Sequence, residues 1–163
     1  MRILVYVLAL CALAGCSRHV VSREALLLTD QAVTFAVVRE NPTAYLGRHL
    51  LAGGTVARIR NTAEGGELEV VQFPLGSDDR PNEKKGSNGR FLARSREFLD
   101  PLIFKPGRMV TLVGKVTGEV THPLDGVDYR YPVLEVREIH VWRPEDPSTP
   151  SPFHFGIGVG IGL

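Results

Sequence analysis

The chain has 163 residues, with 19 lysines and arginines against 18 aspartates and glutamates, for a net charge of +1 at neutral pH. That near-balance excludes a protein that grips nucleic acid mainly through its phosphates, which calls for a basic excess or a basic stripe. The length suits one domain around a single core, and 17 glycines with 11 prolines promise many turns.

The chain opens MRILVYVLALCALAGC. Arg2 supplies a minimal positive charge, and Ile3 to Leu13 is apolar throughout but too short for the roughly 20 residues that span a hydrocarbon core. Residues 1–15 therefore read as a signal peptide. Leu13-Ala14-Gly15-Cys16 resembles the lipobox of bacterial lipoproteins, which implies cleavage before Cys16 and acylation there. One acyl chain holds a membrane marginally and two hold it stably, since each buried methylene contributes about 0.8 kcal/mol. Under the sorting rule of enteric-type bacteria an aspartate after the cysteine would retain the protein at the inner membrane, so Ser17 implies the outer one. Cys11 leaves with the leader and Cys16 carries lipid, so neither an internal disulfide nor thiol chemistry is expected.

Residues 16–30 have weak periodicity and read as a lipidated tether. From Gln31 to Glu40 helical spacing places Val33, Ala36, Val37 and Phe35 on one side, and Asn41-Pro42 ends the helix. Pro42 opens a further short turn through Tyr45, closed by Gly47. From His49 the period changes to two. HLLAGGTVARIRN predicts a first strand with a bulge or bend at Gly53-Gly54. GELEVVQFPL predicts a second, with Leu68 and Val70 opposite Glu67 and Glu69. Gly76 to Gly89 is polar and predicts a surface loop. GRFLARS is the third strand, Arg108 to Val120 the fourth and YRYPVLEVREIHVWRP the fifth, the last alternating from Tyr131 to Trp142.

Five such strands curled by glycines predict a mainly β fold: a small, partly open OB-like barrel over residues 31–143, with a short N-terminal helix. Another small β-barrel or an open antiparallel sheet is the alternative. Residues 144–163 read as a proline-rich linker and a glycine-rich tail.

Several blocks in order resemble the Slp family of outer-membrane lipoproteins, the starvation-inducible type of Gram-negative bacteria. They are LAGC, NPTAYLGRHLLAGGTVARIRN, EVVQFPLGSDDRP, GRFLARSREFLDPLIFKPGRMVTLVGKVTGE and YPVLEVREIHVW. The resemblance implies lipidation, an outer-membrane location facing the periplasm and an OB-like domain, and it brings no catalytic residues and no defined ligand. The short GIGVGIGL ending departs from the longer tails of that family.

Ser95, Asp100 and His140 are residue types that can build a nucleophile, an orienter and a base. No G-x-S-x-G elbow surrounds Ser95, and Asp100 precedes a proline turn, so no enzyme is expected. His19, His49, His122, His140 and His154 show no metal-ligand spacing, and neither metal nor cofactor is expected. Arg90, Arg94 and Arg96 stand at even spacing and, with Arg58 and Arg60, mark a candidate binding face for phosphate, lipid A or anionic glycan. The other reading pairs these arginines with Glu67, Glu69, Glu97, Glu135 or Glu138 across the sheet. The expected partners are membrane lipid through acylated Cys16 and an envelope protein or anionic ligand, with no nucleic acid.

Overall fold

The computed structural model describes residues 19–143. Cys16, the leader and the tail from residue 144 onward lie outside the described residues. Five strands form in the expected order: β1 (His49–Thr62), β2 (Gly65–Gln72), β3 (Arg90–Ser95), β4 (Met109–Leu124) and β5 (Val127–Val141). They close in a ring in the order β1-β2-β3-β5-β4, the arrangement of a small OB-like barrel. Every contact between neighbours is antiparallel except β3 with β5. That parallel seam covers only Leu92 with Val133, Ala93 with Leu134 and Arg94 with Glu135, so the barrel is partly open there.

Alternation places one row of each strand inside. Leu50, Val56, Leu68, Val70, Phe91, Val110, Leu112, Val116 and Leu134 are fully buried in one cluster, and each side chain of this size contributes about 1.5–3 kcal/mol on leaving water. Two irregularities decide what faces outward. In β1 the even positions Leu50, Ala52, Gly54 and Val56 point inward, so continued alternation would bury Arg58 and Arg60. A register shift between Val56 and Arg58 inserts Ala57, turns Ile59 toward the core and sends both arginines out.

Of the bulge or bend expected at Gly53-Gly54, the bulge falls at Ala57. Gly54 instead stands where β1 pairs with Val110 of β4 and Gln72 of β2 at once. A Cβ there would fall 1.9 Å from the Val71 carbonyl oxygen. In β5 the single alternation expected from Tyr131 to Trp142 also breaks. Val113 pairs with Glu138 but Gly114 with Val136, so Arg137 is the extra residue, and the core row passes from Leu134 and Val136 to Ile139 and Val141.

The ends are closed by short segments. The helix α2 is Phe35–Glu40, four residues shorter at its start than expected, and it turns Phe35 and Val38 inward while Ala36 is exposed. Phe35 meets Phe91 at 5.5 Å between ring centroids. Pro42–Tyr45 is the expected short turn, a 3-10 helix in which the Asn41 side chain accepts from the Ala44 amide. At the other end the connection from Arg96 to Arg108 inserts Leu99 and Phe104 against the core.

The segment expected to be a free tether is packed against the barrel from Val20 onward. It forms the helix α1, Arg23–Leu28, capped by Ser22, and buries Val21 and Ala25 over Val113 of β4. Ser22 donates through its amide and hydroxyl to Glu138 at 2.8 and 2.5 Å. The physical reason is Val113 on the outer row of β4, an apolar side chain that Val21 and Ala25 cover.

Candidate functional site: the arginine and glutamate face of β1 to β3

The outer surface of β1, β2 and β3 is a ladder of opposite charges. Lateral neighbours in one row are Arg60, Glu67, Arg94 and Glu135, and the row continues through Lys115 to His49. Arg60 Nη2 lies 2.8 Å from Glu67 Oε1, and Arg94 Nε lies 2.8 Å from Glu67 Oε2. Burial alone would raise the Glu67 pKa, but the hydrogen bond from Arg94 and the charges of Arg60 and Arg94 outweigh it and hold the pKa below the usual glutamate value. His49 is pushed down by burial and by Arg137 and Lys115, which favours its neutral form.

The second row centres on Glu69, which is 8% exposed. Its Oε1 accepts from Arg90 Nη1 at 2.6 Å and from the Tyr131 hydroxyl at 3.3 Å. Burial and the negative Glu69 raise the Tyr131 pKa, so the phenol remains a donor. Arg58 Nε approaches Glu69 only to 3.8 Å, with 76% of its side chain exposed. Arg96 lies just beyond the end of β3, yet its Nη2 reaches Glu135 at 2.7 Å. All five sequence-predicted arginines thus belong to one surface, and each has a carboxylate beside it.

Between this ladder and the long β4–β5 hairpin lies a cleft of about 290 Å³, lined by Arg58, Arg60, Glu67, Glu69, Leu92, Tyr131, His122 and Pro123. A volume of that order sits at the lower bound for small-ligand sites. Its lining offers guanidinium donors, carboxylate acceptors and ring surface, the last from Tyr131, with His122 at 6.3 Å between ring centroids. A second groove of about 480 Å³ runs under residues 26–36 and is mostly apolar. Its buried acceptor is Gln72 Oε1, which has no partner while the amide nitrogen donates to the Phe73 carbonyl at 2.8 Å.

The nucleophile, orienter and base types are not brought together. Ser95 Oγ accepts from the Glu97 amide, Asp100 Oδ1 accepts from the Leu102 amide, and His140 packs edge-on against Trp142 at 4.9 Å. Among the described residues no three His, Cys, Asp or Glu side chains gather. Nor is any helix there long and apolar enough to cross a membrane.

A profile described as "Outer membrane lipoprotein Slp family" matches residues 13–157. The chain belongs to the Slp family. An uncharacterized lipoprotein of Escherichia coli (strain K12), YeaY, is 34% identical over 132 residues, covering 77% of this chain and 67% of that one. The outer membrane protein Slp of the same organism is 30% identical over 131 residues, covering 79% and 69%. The location that goes with this Slp-type chain is the outer membrane. Of solved structures, a small single-stranded DNA-binding protein from Streptomyces coelicolor matches at a TM-score of 0.33 and 17% identity, covering 56% of this Slp-type chain and 91% of the other. That likeness is too distant to carry an argument.

Two residues of this Slp-type domain that the sequence reading passed over matter to the site. In the sequence Tyr131 is visible only as part of the β5 alternation, yet the fold makes it the neutral partner of Glu69. Asp79, inside the polar loop, is 4% exposed and accepts from the Val20 amide at 3.1 Å and from His19 at 2.9 Å. Nothing local in SDDRP distinguishes Asp79 from Asp78, since its role depends on a residue 60 positions earlier.

Proposed function

We propose that the chain is a lipid-anchored, non-enzymatic binding protein of the outer membrane, attached through acylated Cys16 and facing the periplasm. The lipobox at residues 13–16 and the family support the anchor. Palmitate labelling of the wild-type chain, lost in Cys16→Ala, is the expected result, and an unlabelled, soluble mature protein overturns it.

The ligand in this reading is an anionic envelope group, a phosphorylated glycan or lipid headgroup, received in the cleft beside Arg58 and Arg60. One observation carries it: among the described residues, six arginines, Arg58, Arg60, Arg90, Arg94, Arg96 and Arg137, meet three carboxylates, Glu67, Glu69 and Glu135. Of the six, Arg58 and Arg60 line the cleft, with 76% and 60% of their side chains exposed. Arg90 and Arg94 hold Glu69 and Glu67 from outside the cleft lining and suit a structural part, whereas Arg58, which only approaches Glu69 at 3.8 Å, and Arg60, which shares Glu67 with Arg94, line the cleft and suit a binding one. Arg58→Ala with Arg60→Ala is expected to weaken binding of phosphorylated lipid A micelles about tenfold, a change of about 1.4 kcal/mol, with binding that fades as salt rises. Equal binding by wild type and double variant at low salt refutes the cleft as the site.

A further inference from the structure

The segment SREFLDPLIFKPGR, which joins β3 to β4, displays apolar side chains that the fold does not use. Phe98 is 71% exposed, Leu102 82% and Ile103 50%, while Leu99 and Phe104 of the same connection are packed inward. The display is built, since Asn61 clamps Leu99 through both its backbone groups, at 2.8 and 2.9 Å. Asp100 turns the chain by accepting from the Leu102 amide on its side chain and from the Ile103 and Phe104 amides on its carbonyl. A rigid loop holding three large apolar groups in water calls for something that covers them.

Where the chain enters the domain indicates the cover. His19 and Val20 bind Asp79, whose carbonyl accepts from Thr111 Oγ1 at 2.7 Å. Thr111 stands two residues after Met109, the residue at which the loop delivers the chain into β4. Cys16 is three residues before His19, so its reach from that rim is at most about 10 Å. The same end carries basic groups: Lys105 within the loop, and Lys84, which lines a recess together with Met109. Neither lysine has an ion-pair partner among the described residues. Asp100 and Glu83 are the acids nearest in sequence; Asp100 is engaged by the Leu102 amide and Glu83 by Thr55.

We infer that the tip formed by Phe98, Leu102 and Ile103 enters the lipid interface as a second membrane contact beside the acylated cysteine, with Lys84 and Lys105 over anionic headgroups. Apolar side chains rimmed by lysine are the composition of an interfacial membrane contact, and a second contact adds to a lipid anchor by raising the effective concentration of the surface. This rests on the proposed anchoring at Cys16. It fixes the orientation as well: the β4–β5 hairpin points away from the membrane.

The test uses the acylated mature chain on vesicles of phosphatidylethanolamine and phosphatidylglycerol. With residues 1–15 gone and Cys16 acylated, Leu102→Cys supplies one free thiol for an environment-sensitive fluorophore. Val127→Cys, at an equally apolar and 70% exposed position on the far hairpin, serves as the reference. The expected result is a blue-shifted probe at position 102, quenched by nitroxide lipids, and a probe at 127 quenched by aqueous iodide alone. If the labelled protein carries palmitate and floats with the vesicles while iodide alone quenches position 102, the loop contact is refuted and the anchor stands. If it neither carries palmitate nor floats, the anchor fails and the loop contact with it. A photocrosslinker at position 102 that captures an envelope protein instead of lipid also refutes the contact.

Discussion

Glu67 and Glu69 set the chemistry of the charged face, because two largely buried carboxylates must keep their guanidinium partners. Arg90→Ala would leave Glu69 with the Tyr131 hydroxyl and the distant Arg58, and an uncompensated buried charge is costlier than the pair was worth. The expected loss is about 2 kcal/mol, read from urea midpoints, while Arg58→Ala shifts the midpoint little. Glu67 adds a pH dependence. Its folded pKa lies below the unfolded value of about 4.3, so its contribution is complete above that value and disappears as pH falls through the folded one. The stability gap between wild type and Glu67→Gln should therefore narrow as pH drops through the carboxylate range, and a gap unchanged with pH refutes this account. The sequence made the arginine cluster and the glutamates legible as two facing sets. It could not decide which arginine holds which acid, because that depends on the β1–β2 and β2–β3 registers.

At the scale of the strand, the bulge at Ala57 determines which residues reach the cleft at all. Period-two alternation identified all five strands, since apolar residues at alternate positions have no other use than a shared core row. It could not locate the phase changes at Ala57 and Arg137, where one unpaired residue reverses the faces without altering composition. Just before the first of these, β1 transfers its pairing from β4 to β2 at Gly54, and the backbone of β2 lies where a side chain would begin. Gly54→Ala must push Val71 away at the point where β1 pairs with both β2 and β4. The expected cost is about 2–3 kcal/mol, with a loss of amide protection across β1 and β2. Gly126→Ala in the hairpin turn, where an added Cβ has open space and only the positive φ of 82° resists it, should cost less and leave that protection intact.

For the molecule as a whole, the consequential feature is that residues 19–30 belong to the folded body. Their weak periodicity concealed this, because a six-residue helix with one buried alanine leaves almost no pattern, and the Asp79 clamp joins positions far apart in the chain. Two accounts of the segment differ in what they predict. As a tether, it could be removed without touching the barrel. As a packed element, its loss would uncover Val113 and Leu51, expose the hydrophobic surface shared with Val21 and Ala25, and leave Asp79 and Glu138 without the amides that now donate to them. A soluble chain beginning at Gln31, compared with one beginning at Ser17, should be less stable by about 4 kcal/mol in urea unfolding. Identical midpoints would return the segment to the role of a free tether. The outcome bears on function, because a packed segment leaves only two residues, Ser17 and Arg18, between Cys16 and His19, which is fixed to Asp79 on the barrel. With the proposed anchor at Cys16, the apolar loop is then held at the lipid surface and the charged cleft at a set height above it, instead of sweeping through the periplasm.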